Sequence, residues 1–436
     1  MEHNGKGYEG QDMNKIDWAK NHILKISNET ECLDDILEDD IKKYRDKIEP
    51  WLTAIFQSEH LALLAGTGLT SAVASLAKVD APGMDRIEFI EFGEQIKKSA
   101  DSQAKEMRRG KANIEDDLRV AIELYKGLLI QGDDATAKTL KDDIDAKLIA
   151  FIKKVLNAEK EFLEKEGNAL TYLKSFLISF ASRTASRDRL NIVTTNYDRF
   201  IEYACDMAGI LVLDSFTGKI TPVFRTNKLE LDYHYNPPGI RGEPRYVEGV
   251  IKYTKLHGSL DWRFEDNKIL KAPLPFGADG KHPGIPKKPF DDVVIYPNSA
   301  KDIETIYFPY AELFRDFSTA VCRPNSVVVT YGYGFGDSHV NRILADMLTI
   351  PSTHLVVISW DKANGRIQRF IENNNLSQFT LLIGEHFADL KTLVENYLPK
   401  AAIDRITERK QRVLEKRGKD NSSKSQKAGA LTDEPL

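Results

Sequence analysis

The sequence predicts an α/β protein built on an open, mainly parallel sheet with a large helical insertion. Short apolar runs typical of buried strands alternate with segments of helical spacing, which favours a parallel sheet with helices on both faces. Four glycine-rich or polar motifs each follow such a run, and they lie at residues 64–70, 195–198, 255–259 and 331–337. Each motif is therefore expected at the carboxyl edge of the sheet, where open α/β sheets bind ligands.

Composition restricts the class of protein. The chain has 436 residues, of which 42% are hydrophobic, so it can form a sizeable core in about two or three domains. A formal net charge of −5 argues against a globally basic nucleic-acid binder. Three scattered cysteines, Cys32, Cys205 and Cys322, suit a reducing cytoplasm. No apolar run is long enough for a membrane span, and the N-terminus lacks the apolar centre of a signal peptide, so we expect a cytoplasmic protein with no membrane partner.

The chain begins with residues 1–54, which are predicted to form an N-terminal helical segment after a disordered start. Spacing over residues 16–51 indicates two helices, with Asp34 as the candidate cap of the second. A first strand at His60–Ala65 then leads into Gly-Thr-Gly. The sheet domain is expected to comprise residues 55–85 and 185–390.

Residues 86–184 interrupt this sheet domain as a predicted insertion of two to four helices. The segment carries much charge and no strand-like alternation. Leu148, Phe151, Ile152 and Val155 fall at i, i+3, i+4 and i+7, which places them on one helix face. The insertion is either an oligomer or partner surface or extra packing on the sheet, and the sequence favours neither.

The second half continues the strand–helix alternation. Strands are predicted at residues 191–194, 210–213, 250–256, 293–296, 326–330, 354–360 and 379–383, and helices at 199–207, 306–321 and 340–348. A C-terminal helix is predicted from about Asp389 to Arg417. The segment 391–436 is assigned to this helix and to a basic disordered tail that follows it. Residues 405–427 have nine Lys or Arg against three Asp or Glu, which indicates either a solvated helix end or a docking arm.

The first motif, Gly66-Thr67-Gly68, suits a pyrophosphate. Glycine lets the backbone turn tightly and approach phosphates, and the N–H groups at a helix start favour an anion. A tight turn alone also requires glycine. The third glycine of the full dinucleotide fingerprint is absent, and no Gly-Lys-Ser/Thr of a P-loop follows, which disfavours the simplest ATPase.

The second and third motifs supply candidate catalytic groups. Asn196 and Asp198, after Thr195, either cap the following helix or hold ribose hydroxyls or a water. His257 ends an apolar strand beside Gly258 and Ser259. A lone histidine is usually structural, but one at this position, with an ordinary pKa of about 6.5, is well placed for proton transfer.

The fourth motif contains Gly332 and Gly334 in another glycine-rich turn that enters a helix. Asp337 and Ser338 are candidate caps of that helix. His339 is not expected to bind a metal, because no second His or Cys lies at ligand spacing, so we predict no metal site.

The order Gly-Thr-Gly, Thr-Thr-Asn-Tyr-Asp, Leu-His-Gly-Ser, Gly-Tyr-Gly-Phe-Gly-Asp-Ser-His resembles the sirtuin-like domains of bacterial anti-phage NAD-consuming proteins, over residues 55–85 and 185–390. The resemblance implies a Rossmann-like sheet of the sirtuin type that binds NAD. It places the phosphates at Gly66, Thr67 and Gly68. It also implies ribose or nicotinamide contacts at Asn196 and Asp198, a catalytic His257, and further phosphate or ribose contacts at Gly332 and Gly334. Thr195, Gly258 and Ser259 complete these motifs as candidate binding residues.

Two departures from the family pattern disfavour a protein deacylase. Deacylases of this family carry four cysteines on a structural zinc in a ribbon domain, whereas this chain has three cysteines and no Cys-x-x-Cys pair, so we expect neither ribbon nor zinc. The family's acidic-aromatic-Arg loop is also missing, and residues 81–86 stand roughly there.

The resemblance implies an NAD+ glycohydrolase that cleaves the nicotinamide–ribose bond to nicotinamide and ADP-ribose, with Asn196, Asp198 and His257 as catalytic residues. NAD depletion would serve anti-phage defence. The family also implies a homo-oligomer in a multi-subunit complex, with a HerA-type hexameric DNA translocase as the first expected partner and no direct sequence-specific contact with nucleic acid.

Two other functions stay open. A non-catalytic NAD- or ADP-ribose-binding scaffold could regulate a partner ATPase or nuclease while keeping the same motifs. A deacylase or ADP-ribosyl transferase is less favoured, because the peptide-binding module is missing.

Overall fold

The computed structural model describes residues 16–106, 110–165, 167–183, 187–226, 229, 231–235, 245–266, 268–295 and 308–400. The strands are β1 (His22–Ile26), β2 (Glu29–Leu33), β3 (His60–Ala65), β4 (Leu190–Thr194), β5 (Leu211–Leu213), β6 (Phe216–Thr217), β7 (Val223–Phe224), β8 (His234–Tyr235), β9 (Arg245–Tyr246), β10 (Val250–Lys255), β11 (Gly258–Glu265), β12 (Lys268–Lys271), β13 (Val293–Ile295), β14 (Ser326–Tyr331), β15 (His354–Ser359) and β16 (Phe379–Ile383). The helices are α1 (Ile41–Phe56), α2 (Thr67–Ala77), α3 (Gly93–Glu106), α4 (Ile114–Gln131), α5 (Asp134–Lys165), α6 (Ala169–Ala181), α7 (Phe200–Ala208), α8 (Pro289–Asp292), α9 (Tyr310–Val321), α10 (Ser338–Leu348), α11 (Arg366–Glu372), α12 (Glu385–Ala388) and α13 (Leu390–Thr392).

A nine-stranded sheet forms the centre of the protein, in the order β2-β1-β16-β15-β14-β3-β4-β10-β5. The strands from β16 to β5 pair in parallel, whereas β1 is antiparallel to both β16 and β2. This arrangement confirms the predicted α/β class with a Rossmann-like, mainly parallel sheet. Because β3 lies between β4 and β14, the chain leaves β3 on one side and later returns on the other. Ligands bind at such a switch point, outside the carboxyl ends of the strands.

Both faces of the central strands β3, β14, β15 and β16 are buried, which is why these parallel strands are mostly apolar. In β3, Leu61 and Leu63 pack in one hydrophobic cluster, together with Tyr44 of α1. Ala62 and Leu64 face the other way, in a cluster with residues of α9, α10 and α11. The alternation of side chains along a strand therefore fixes the register of β3 between two helical layers.

The chain between β3 and β4 is helical wherever the structure describes regular elements, and it contains α2 to α6. Helices α3, α4 and α5 share a third hydrophobic cluster, which includes the predicted helix face with Phe151 and Val155. Helix α6 instead packs on the sheet, because Phe176 and Phe180 belong to the cluster that contains Leu63. These helices occupy the predicted insertion, and the proposed domain boundaries stay predictions.

A second, antiparallel sheet of five strands lies beside the first, in the order β13-β11-β12-β7-β6. Of the predicted strand at residues 293–296, residues 293–295 are described, and they lie in this sheet as β13 rather than in the main one. Residues 266–288 are polar and rich in Pro and Gly, which predicts a long loop, but they contain β12, which pairs with β11. Asp266, which follows β11, has a φ of 49°, in the left-handed region that tight turns use.

The predicted pair of helices over residues 16–51 is wrong in its first half, where β1 and β2 form a hairpin. The hairpin extends the main sheet, because β1 pairs with β16 from a distant part of the chain. Lys25 is buried in β1 and donates to the carbonyl of Phe379 at 3.0 Å. Asp34 does not cap α1, which begins at Ile41, and instead accepts a hydrogen bond from Lys20.

The predicted C-terminal helix from Asp389 to Arg417 is also wrong as one continuous element. A short helix, α13, is followed by a π-helical turn that ends at Tyr397. Leu398 is extended, with φ −72° and ψ 144°, because Pro399 follows and disfavours helical geometry in the residue before it. The rest of that helix and the basic tail lie outside the described residues. Within the described ranges, no helix is both long and apolar enough to cross a membrane.

Candidate active site

A cavity of about 340 Å³ lies at the switch point, between the turns that follow β3, β4, β10 and β14. The structure brings many of the predicted site residues to its wall, namely Gly66, Thr67, Thr195, Asn196, Asp198, His257 and Gly334. The predicted residues that do not line it are Gly68, Gly258, Ser259 and Gly332. The four motifs therefore converge on one cavity, as their common position after strands predicts.

Gly66, Gly68 and Gly332 hold two turns against each other. A Cβ atom on Gly66 would lie 2.5 Å from the Gly332 carbonyl oxygen, and one on Gly68 would lie 2.5 Å from the Gly332 Cα. Gly332 has a φ of +59°, and its carbonyl accepts a 3.0 Å hydrogen bond from the Gly68 N–H. The contact between the two turns is enough to require glycine at these three positions. Gly68 and Gly332 do not line the cavity, so the phosphate contacts expected of them stay predictions.

Asn196 is held by two hydrogen bonds at the floor of the cavity. Its Nδ2 donates to the Gly66 carbonyl at 2.9 Å and to the Thr70 Oγ1 at 3.0 Å. These acceptors fix which end of the amide is nitrogen. Asn196 Oδ1 is buried and has no hydrogen-bond partner among the residues that the structure describes. Because an unsatisfied buried acceptor costs about 1–3 kcal/mol, this atom is the best candidate to accept from a water or a ligand hydroxyl.

Thr70 connects Asn196 to Asp198. Its hydroxyl accepts from Asn196 and donates to Asp198 Oδ2 at 2.5 Å. Asp198 Oδ1 accepts from the N–H of Phe200, the first residue of α7, although Arg199 and not Asp198 occupies the N-cap position of that helix. Burial raises the pKa of the Asp198 carboxyl, while the Lys255 ammonium and the Thr70 hydroxyl act in the opposite direction. Lys255 itself is buried and donates to the Asp198 carbonyl and to Glu202.

His257 lies between β10 and β11 and is only 3% exposed. The next residue, Gly258, has a φ of +80° that turns the chain into β11, and Ser259 is fully buried in that strand. His257 lines the cavity, whereas Gly258 and Ser259 do not, so their binding roles stay predictions. The His257 Nε2 lies 3.9 Å from the Asp337 Oδ2.

His339 lies near His257 in space, with ring centroids 5.7 Å apart. A second histidine therefore does lie near His339 in space, although none lies at ligand spacing in the sequence, and the absence of a metal site stays a prediction. The two histidines are far apart in sequence because β11 to β13 and α9 lie between them. They are close in space because the parallel strands β10 and β14 end at the same edge of the sheet.

The helical insertion supplies a wall of the cavity that the sequence motifs did not reveal. Glu115 from the first turn of α4 and Phe151 from α5 both line it. Tyr197 also lines it, and its hydroxyl donates to Glu115 Oε1 at 2.9 Å. Burial and the Glu115 carboxylate raise the pKa of Tyr197 well above its ordinary value.

A buried ion pair ties the insertion to the loop that carries Asp198. Glu159 of α5 and Arg199 approach to 2.6 Å between Oε2 and Nη2, with side-chain exposures of 0% and 8%. The Glu159 carboxylate also accepts from the backbone N–H groups of Arg199 and Gly277. Burial raises the pKa of Glu159, and Arg199 opposes that shift. The insertion is therefore packed into the site, not merely attached to the sheet.

Further cavity residues were missed by the sequence motifs. Thr70 could have been found, because it lies one turn after Thr67 on the same face of α2. Two cationic side chains, Lys111 and Arg366, also line the cavity and favour an anionic ligand. Arg366 donates from Nε to the Gly334 carbonyl at 2.6 Å. Neither residue lies in a motif, and only the fold places them here.

An open, mainly parallel sheet with a cavity at its switch point places the protein in the doubly wound α/β class, whose members bind ligands at that position. Residues 190–379 match the family model of the SIR2-like domain, which supports a sirtuin-like assignment, and domains of this kind bind NAD. The match contains Asn196, Asp198, His257 and Gly334, but it begins after the Gly66–Gly68 turn and the insertion. A comparison with curated proteins finds no match.

Proposed function

We propose that this protein is an NAD+ glycohydrolase that releases nicotinamide and ADP-ribose. The observation that carries the proposal is the meeting of Asn196, Asp198 and His257 at one cavity, with the Asn196 Oδ1 left as a buried acceptor. The Gly66 and Gly68 N–H groups already donate to the Tyr331 and Gly332 carbonyls. The positive charge of Lys111 and Arg366 therefore supports pyrophosphate binding at this cavity more than these N–H groups do.

The reaction needs three contributions from the protein. The bond between the ribose C1′ and the nicotinamide nitrogen breaks, its electron pair leaves with nicotinamide, and positive charge builds on the ribose. The Asp198 carboxylate would stabilise that charge electrostatically. Asn196 Oδ1 would accept a hydrogen bond from the attacking water or a ribose hydroxyl and so orient it. His257 would take the proton as the water oxygen bonds to C1′.

The insertion favours hydrolysis over protein deacylation. Glu115 and Phe151 of the insertion line the cavity together with Pro82 and Met84, which precede it. The chain has three cysteines, too few for the four-cysteine zinc ribbon with which a deacylase frames its acyl-lysine cleft. With the insertion along one side of the cavity, a small dinucleotide and water suit the site better than a peptide does.

The test is nicotinamide release from NAD by the purified chain, alone and with a HerA-type translocase and DNA. Asn196→Ala and His257→Ala should each lower turnover by about 100-fold or more, the usual contribution of a positioned acid–base group. Matched controls are Asn373→Ala, whose side chain donates to the Arg369 carbonyl at a surface helix end, and His282→Ala in the loop before α8; both should keep full activity.

Two results would overturn the proposal. Folded Asn196→Ala and His257→Ala variants that hydrolyse NAD at the full rate would remove the assigned chemistry. Stoichiometric NAD binding without release, under every condition, would favour the non-catalytic scaffold that regulates a partner ATPase or nuclease.

The resemblance of the motifs also supports a role in anti-phage defence. In that setting the protein would deplete NAD as a cytoplasmic homo-oligomer, held in check by a translocase partner until infection. Co-purification of the chain with the product of a neighbouring translocase gene, and phage-dependent loss of cellular NAD that requires His257, would test this part of the proposal.

A further inference from the structure

Three potential metal ligands lie together on one side of the cavity. They are His257, Asp337 and His339, and their donor atoms all lie within 4.8 Å of one another. The two imidazoles are almost completely buried, with exposures of 3% for His257 and 2% for His339. The carboxylate of Asp337 is partly exposed and lines the cavity.

The fold holds these donors in place from two separate elements. His257 ends the segment after β10, while Asp337 and His339 lie at the start of α10. Phe314 of α9 packs edge-on against His339, with ring centroids 4.5 Å apart, and limits the movement of that ring. The three donors are therefore presented by packed elements rather than by a free loop.

Two imidazoles and one carboxylate suit a divalent transition metal ion. Zinc binds nitrogen and carboxylate oxygen at about 2.0–2.2 Å, so tetrahedral ligands lie roughly 3.4 Å apart. The His257–Asp337 pair is already at 3.9 Å. Small side-chain rotations would close the remaining distances. Because His257 and Asp337 line the cavity, the fourth position would face it and take a water, as in an open zinc site.

We propose that His257, Asp337 and His339 bind a divalent transition metal ion, and that the bound ion inhibits NAD hydrolysis. This inference rests on the proposed function for its inhibitory part. A His257 nitrogen that ligates a metal has no free lone pair to accept a proton from water. The ion would also stand where the dinucleotide enters, so metal and NAD would compete.

Cobalt(II) is the probe for binding, because its visible spectrum reports coordination without any assay of activity. The full-length, metal-stripped protein should bind one Co²⁺ per chain with a tetrahedral d–d spectrum, and Zn²⁺ should displace it. His339→Ala and Asp337→Asn should each weaken binding by at least about tenfold, while His282→Ala, outside the cluster, should bind as the wild type does.

Zinc inhibition supplies the second readout. Zn²⁺ should raise the apparent KM for NAD in the wild type, and His339→Ala should need at least about tenfold more zinc for the same effect. Absence of stoichiometric Co²⁺ binding by the folded wild type would overturn the inference, as would unchanged zinc sensitivity of both variants. A protein that binds Co²⁺ but never hydrolyses NAD would refute the proposed function and leave only the metal site. Hydrolysis without metal binding would refute the inference alone.

Discussion

Thr70 donates a 2.5 Å hydrogen bond to Asp198, and both side chains are buried at the edge of the sheet. The same hydroxyl accepts from Asn196, so one threonine orients two side chains that the proposed hydrolysis requires. Its position on α2 means that the helix after the first glycine turn orients the side chains that follow β4.

Thr70→Val should therefore impair turnover more than folding. The change removes the hydrogen bonds that orient the Asn196 amide and the Asp198 carboxylate. The resulting misplacement of both groups should lower turnover by roughly 10- to 100-fold, or about 1.4–2.7 kcal/mol of transition-state free energy. Thr70→Ser keeps the hydroxyl and should stay within about threefold of wild type. Steady-state kcat and KM for NAD measure the effect, and a Thr70→Val enzyme as fast as wild type would contradict it.

Gly332→Ala should destabilise the whole fold. Its Cβ would overlap the Gly68 backbone at 2.5 Å, and the φ of +59° is unfavourable for alanine. Overpacking and left-handed backbone together cost about 2–5 kcal/mol. Gly336→Ala is the matched control, since a Cβ there meets no atom within 4 Å. Urea unfolding of both variants measures the difference, and equal midpoints would show that the two turns can separate.

Glu159→Gln should lower both stability and activity. It removes the charge that faces the buried Arg199 guanidinium, and breaking such a pair costs about 3–5 kcal/mol. The control is Asp291→Asn, which removes a half-exposed partner of Lys141 and should cost less than about 1 kcal/mol. Chemical denaturation gives the stability change. Wild-type activity in the folded Glu159→Gln variant would show that the insertion does not position the Asp198 loop.

His354 should make stability fall in acid. Burial, with a contribution from Lys25, lowers the pKa of His354 from 6.5 to about 4. A lowered histidine pKa adds stability that is fully present above the unfolded pKa of 6.5 and is lost as the pH falls through 4. The loss approaches about 3 kcal/mol at the full shift.

The comparison that isolates this effect is the wild type against His354→Asn, because carboxylates titrate over the same range in both proteins. The free energy of unfolding at pH 7 minus that at pH 4 should be smaller in the variant. Parallel pH profiles would assign the acid sensitivity to other groups.

The sheet and its glycine turns could be predicted because their signals are local. The strands of the predicted parallel sheet are short apolar runs, and Gly66 and Gly332 follow β3 and β14 directly. Asn196, Asp198 and His257 shared that position, so their convergence followed from the rule that parallel strands end at one edge.

Other parts of the fold and site depend on contacts that no local pattern contains. The β1–β2 hairpin looked helical because its stability comes from pairing with β16 near the other end of the chain. Helical spacing placed Phe151 on an apolar face but could not show that the face meets Tyr197, 5.8 Å away between ring centroids. The approach of His339 to His257 likewise depends on how β10 and β14 align.

The contact between the turn at Gly66–Gly68 and the turn at Gly332 also determines when the site can form during protein synthesis. Gly66 emerges from the ribosome early, but its partner Gly332 and the neighbouring Asp337 follow more than 260 residues later. A nascent chain that ends before this point lacks one side of the cavity. If the protein hydrolyses NAD, a partly synthesised or prematurely truncated chain is therefore harmless to the cell that makes it.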